Sequence, residues 1–222
     1  MNHIFTKNIE ALKLKNFELA LILQTHVPTE IPQLIQKNNA YNILYKNELI
    51  HNGENPLAES QEIFDKSENS PISIHVIYGL GLGYLFQIAS LKSQGNVILY
   101  EPDLNILWTA FSVVDFTKDI LKQNVFVCSK FEELTSVLYQ NSGVKNSPVL
   151  LSLPSVRIFD ANGFNNFVKK VQDMVGAFSL DLKFTQQKFY PSLKMLIKNI
   201  PNLLKETPLS RIKDFYKEKL LL

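Results

Sequence analysis

Between Ile74 and Asp103 the chain runs through an apolar segment, the turn Gly79-Leu80-Gly81-Leu82-Gly83, and an apolar stretch of about one helix. It then enters Val97-Ile98-Leu99-Tyr100-Glu101. This order reads as strand, glycine turn, helix, and a second strand with an acidic tip. Glycines permit positive φ and let another group approach the main chain without a Cβ in the way. A helix starting at such a turn directs its free N–H groups and positive dipole end at whatever lies above it. A carboxylate closing the next strand stands beside the same crevice, within reach of ribose hydroxyls.

The alternation continues downstream and predicts a Rossmann-like α/β fold, a mostly parallel sheet with helices on both faces. Ile72–Ile77, Val97–Tyr100 and Val149–Leu151 are largely apolar, as suits parallel strands covered on both sides. Right-handed crossovers would place the helices on both faces. Asp103 is placed to cap a helix through Leu107 and Phe111, Asn124 to Cys128 reads as a strand, and Ser129-x-x-Glu132 has the capping-box pattern. Upstream, residues 1–66 read as a small helix and hairpin unit. Its helical spacing from Phe5 to Leu23 breaks near Lys15-Asn16, and Lys46-Asn47 sits between two short apolar runs. Asn52 to Pro56 forms a turn in which Asn55 caps a helix and Pro56 takes its first position. Residues 67–182 form the Rossmann-like domain. A long helix is expected at Phe164–Gly176, and residues 183–222 read as a helical connector that opens with a second at Lys183–Lys205, where Pro191 and Pro201 start, kink or end turns. An Arg211–Lys219 segment then leads into Leu220-Leu221-Leu222, which look like the opening of a buried strand and suggest a piece of a longer protein.

Composition narrows the function classes. The 222 residues are 45% hydrophobic and 20% charged, with a formal net charge of +2. That balance gives no reason to expect nucleic acid or an anionic membrane as partner. A single cysteine excludes an internal disulfide and a thiolate metal cluster. Cys128 and His75 fall within strands and read as core residues, and the four histidines are too scattered for metal-ligand spacing. The N-terminus lacks the continuous apolar core of a signal peptide, and the cytoplasm is the expected compartment.

The candidate binding residues are Gly79, Gly81, Gly83 and Glu101, for a nucleotide or as the remnant of such a site. No catalytic or metal-binding residue is expected. The G-x-G-x-x-G dinucleotide register fails, because Tyr84 and Phe86 occupy the sixth positions counted from Gly79 and Gly81. The pattern resembles S-adenosylmethionine methyltransferases more closely, which makes S-adenosylmethionine or a nucleotide the cofactor to consider. Those enzymes usually carry Asp or Glu where this chain has Ile77. Ser152-Leu153-Pro154-Ser155 also departs from the Asn/Asp-Pro-Pro-aromatic motif of their amino-methylating members.

Four ordered segments resemble the N-terminal region of the motility-associated factor family, the flagellin glycosyltransferases of polar-flagellated bacteria. They are Leu49-Ile50-His51 with Asn55-Pro56-x-x-Glu59, the glycine turn through Tyr84, Tyr100-Glu101-Pro102-Asp103, and Asn199-Ile200-Pro201-Asn202-Leu203. The resemblance implies an accessory domain that positions an acceptor or partner, followed by a glycosyltransferase domain that carries the chemistry. Flagellin and that downstream domain are the implied partners. A methyltransferase-like enzyme is the alternative. A third reading keeps the glycines for close packing alone, since a fold does not itself imply a ligand.

Overall fold

The strand that precedes the glycine turn is the middle of the molecule's main sheet. In a computed structural model, which describes residues 2–37, 40–51, 54–141, 147–184, 187 and 190–206, β4 (Ser73–Tyr78) is buried along its whole length. It pairs in parallel with β5 (Asn96–Tyr100) on one side and β7 (Ser147–Ser152) on the other, and β6 (Val125–Cys128) pairs in parallel with β5. The order β6-β5-β4-β7 matches strands 3-2-1-4 of a doubly wound sheet, with the strand order reversing beside β4. The expected α/β class and parallel sheet flanked by helices are therefore present. Apolar side chains on both faces of β4 and β5 account for this, because each face must be covered by a helix.

The helices begin where their sequences provide caps. The Asn16 side chain accepts from Leu19 N–H, separating α1 (His3–Lys13) from α2 (Phe17–Thr25) at the expected break. Asn55 accepts from Ala58 N–H, with Pro56 opening α3 (Pro56–Asp65). α4 (Tyr84–Lys92) follows the glycine turn, and α5 (Leu104–Val113) is capped by Asp103, which accepts from Asn105 N–H. A short α6 (Thr117–Ile120) precedes β6. α7 (Phe131–Asn141) starts one residue later than its sequence pattern suggests. Glu133, not Glu132, reaches back to the Ser129 and Lys130 N–H groups, because the third helical position falls on Glu133 once the strand has run through Cys128.

The N-terminal helices share the core of the sheet. Phe5, Ile9, Leu12, Leu19 and Leu23 cluster with Leu107, Phe111, Phe116, Val125 and Val127. Asn8, wholly buried, ties them together by donating to Phe111 and Val114 carbonyls and accepting from Phe116 N–H. A second, antiparallel sheet has the order β1-β2-β3, from β1 (Gln33–Lys37), β2 (Ala40–Tyr45) and β3 (Glu48–Leu49). Lys46 and Asn47 both take positive φ, 51° and 64°, as the two-residue turn of such a hairpin requires. β1 is not expected from the sequence, where two prolines precede a short, mostly polar run.

The chain divides into two units, Met1–Val168 and Lys169–Leu222. α8 (Pro154–Phe159) follows β7, where the sequence suggests only the strand's end. α9 (Ala161–Phe184) runs past the expected stop at Gly176, and α10 (Tyr190–Glu206) begins with Pro191 in its first turn and contains Pro201. Asn52-Gly53, the Arg211–Lys219 segment and the strand expected at Leu220–Leu222 lie outside the described residues.

Candidate functional site

The site is built where β4 and β5 end side by side. Gly79, Gly81 and Gly83 all take positive φ, at 87°, 55° and 83°, so each residue is in a conformation that L side chains resist. Gly79 N–H donates to Tyr100 O at 2.9 Å and Gly83 N–H to Leu80 O at 2.8 Å. The four residues singled out in the sequence thus meet at one loop.

The space the glycines leave is filled by the chain itself. A Cβ on Gly79 would meet Val156 at 3.1 Å, and one on Gly81 would meet His51 Nε2 at 2.6 Å and Ile50 at 2.9 Å. A Cβ on Gly83 would overlap the ring of Phe116. Glu101 is turned inward, with 2% of its surface exposed. Its Oε2 accepts from Leu80 N–H at 2.8 Å and its Oε1 from Asp103 N–H at 2.9 Å. Burial pushes this carboxyl up to about 8, against the downward pull of the two N–H donors and with Asp103 and Asp160 adding to the rise.

On the other side of the loop, Leu82 N–H donates to His51 Nε2 at 2.8 Å. The proton of the neutral ring therefore sits on Nδ1, which has no hydrogen-bond partner among the described residues. Burial lowers His51 to about 3, and its ring meets Tyr84 edge-on at 5.1 Å between centroids. The main chain around it is clamped. Asn42 donates to His51 O at 2.8 Å and accepts from His51 N–H at 3.0 Å, and Ser155 Oγ donates to Ile50 O.

Beside the loop opens a cleft of about 450 Å³, lined by Lys46, Tyr78, Gly79, Gly81, Asp103, Val156 and Asp160 among others. Its polar groups are largely paired to one another. Tyr78 OH donates to Asp160 at 2.5 Å, Tyr45 OH donates to Asp103 at 2.8 Å, and Lys46 lies 3.8 Å from Asp103. Desolvation and these carboxylates raise both phenols, Tyr45 to about 12. With Asp103 and Asp160 set against the single ammonium of Lys46, the cleft offers a phosphate no net positive charge.

No protein-family profile and no curated protein sequence matches the chain. Among solved structures it is similar to the MAf glycosyltransferase from Magnetospirillum magneticum AMB-1. That likeness has a TM-score of 0.46 and 14% sequence identity, over 77% of this chain and 35% of that one. The chain thus spans 35% of that protein's length.

Among the described residues no group of three or more His, Cys, Asp or Glu side chains is placed to hold a metal ion, and no helix is long and apolar enough to cross a membrane. Cys128 is buried, with its thiol pushed up to about 12, so it is not a ready nucleophile. His75 lies in the core with both ring nitrogens engaged, by Ser93 Oγ and Glu68 O, each at 2.9 Å.

The part of His51 in the loop is not legible in the sequence, where it is one of four scattered histidines. Only its place in the Leu49-Ile50-His51 segment marks it.

The two buried titratable groups on the loop give a specific pH dependence. His51 is held neutral, so its contribution is full above its ordinary value of 6.5 and is lost as pH falls toward 3. Glu101 is shifted the other way. Its contribution is full below its ordinary 4.5 and is lost as pH rises toward 8. Between about 4.5 and 6.5 the two slopes cancel, apart from a tilt from His75, which burial also lowers. Urea unfolding across pH should show a plateau there, falling on both sides. Glu101→Gln should flatten the alkaline flank, removing roughly 2 kcal/mol of change between pH 6.5 and 8, and turn the plateau into a rising limb. An unchanged alkaline flank in that variant would contradict the assignment.

Proposed function

We propose that this chain is the N-terminal accessory domain of a motility-associated flagellin glycosyltransferase, a scaffold that positions an acceptor or partner and has no complete active site of its own. Two lines support the reading. The ordered sequence segments resemble that family, and the glycine loop is satisfied by its own chain. The single observation that carries the second is Glu101. Both of its oxygens accept main-chain N–H groups and only 2% of its surface is exposed, so the side chain is turned away from where ribose hydroxyls would lie. The glycines then serve close packing against Val156, His51 and Phe116, and the nucleotide site is a remnant. A downstream glycosyltransferase domain and flagellin are the proposed partners.

The test is thermal unfolding with S-adenosylmethionine, S-adenosylhomocysteine and cytidine nucleotides. A working site would gain about 2.7 kcal/mol at a hundredfold excess over Kd. The expected result is no shift with any of them. A shift with S-adenosylmethionine would overturn the scaffold reading in favour of a methyltransferase-like binding domain.

A further inference from the structure

Three features of the loop have no explanation in packing alone. A buried imidazole accepts the Leu82 N–H, as a bound ligand's acceptor atom would. Its own Nδ1–H, buried with the ring, finds no partner among the described residues. The main chain carrying it is gripped on both sides by Asn42, and the preceding carbonyl by Ser155. The ring stands where the Cβ of Gly81 would be, against the middle of the glycine turn.

We propose that His51 occupies a built-in site for a small, neutral ring-nitrogen acceptor over the glycine loop, acting as the loop's intramolecular ligand. The inference rests on the reading that the loop is filled by the chain itself, and adds that the filled place is a specific acceptor site. The Ile50–His51 segment is then a strap that keeps the site shut, and emptying it creates a pocket shaped for an azole.

The test is chemical rescue. His51→Gly removes the ring and leaves Leu82 N–H without its acceptor. Free imidazole, kept neutral at about pH 8, should raise the melting temperature of this variant by about 3 °C or more at saturating concentration and leave the unsubstituted chain unmoved. Pyrrole has the same ring size, but its nitrogen offers only a donor. It should not rescue, and rescue by pyrrole equal to that by imidazole would mean that the place is a void and not an acceptor site. Two further variants serve if His51→Gly does not fold. His51→Gln, whose amide oxygen reaches the position of Nε2, should fold and ignore imidazole. His51→Asn, which is too short to reach it, should respond. Rescue of neither His51→Gly nor His51→Asn would overturn the proposal. That failure is separate from a thermal shift of the unsubstituted chain with S-adenosylmethionine, which would overturn the scaffold reading instead.

Discussion

Replacement of Gly83 by alanine will destabilise the chain by about 2 to 5 kcal/mol, through two separate costs. The residue sits at φ 83°, the left-handed region, where a Cβ costs about 1 to 2 kcal/mol. That Cβ would also overlap the ring of Phe116, which is fully buried between Phe86 and Phe111. Overpacking of this kind costs about 1 to 3 kcal/mol. The two terms separate in a double-mutant cycle. Phe116→Leu makes room at Gly83 and costs stability on its own, but the pair should be less damaging than the sum by at least about 1 kcal/mol. Strict additivity in urea unfolding would show that the ring and the glycine do not meet.

The second large effect is expected at Glu101. Replacement by alanine strands two N–H groups, the buried one of Leu80 and the part-buried one of Asp103. A buried unsatisfied donor costs about 1 to 3 kcal/mol and a part-buried one less, so unfolding should be easier by about 2 to 4 kcal/mol near pH 6. The loss has a local signature as well. Hydrogen exchange at Leu80 should accelerate in Glu101→Ala, since its amide would lose the carboxylate that accepts from it and the turn would be free to open. Glu101→Gln keeps one carbonyl acceptor and should cost less than alanine. If Glu101→Ala matched the parent chain in stability, the carboxylate could not be the clasp of the loop, and its availability to a ligand would be reopened.

Much of this arrangement is legible in the residues alone. The glycine turn and the apolar runs on either side point to a parallel sheet, because a strand apolar on both faces needs two covering layers. Asn55 and Asp103 mark helix starts, Lys15-Asn16 marks a helix break and Lys46-Asn47 a short hairpin, because each of these depends on interactions within a few residues. The features that the residues do not reveal depend on distant partners. The sequence pattern suggests a Glu101 that points outward to a ligand, but beside the local Asp103 amide it is held by the amide of Leu80, which only the paired strands bring near. His51 meets Leu82 across the fold, and only the tertiary structure pairs them. The Glu132-to-Glu133 shift at α7 is a one-residue boundary difference of the ordinary kind.

The strand order also bears on synthesis. β4 takes β5 as a neighbour early, but its other side waits for Ser147–Ser152. A growing polypeptide therefore exposes one unpaired ribbon margin while α5, β6 and α7 are being made. Pulse-labelling of ribosome-bound intermediates should find the β4 amides that face β5 protected first, and those that face Ser147–Ser152 only after that last partner clears the exit tunnel.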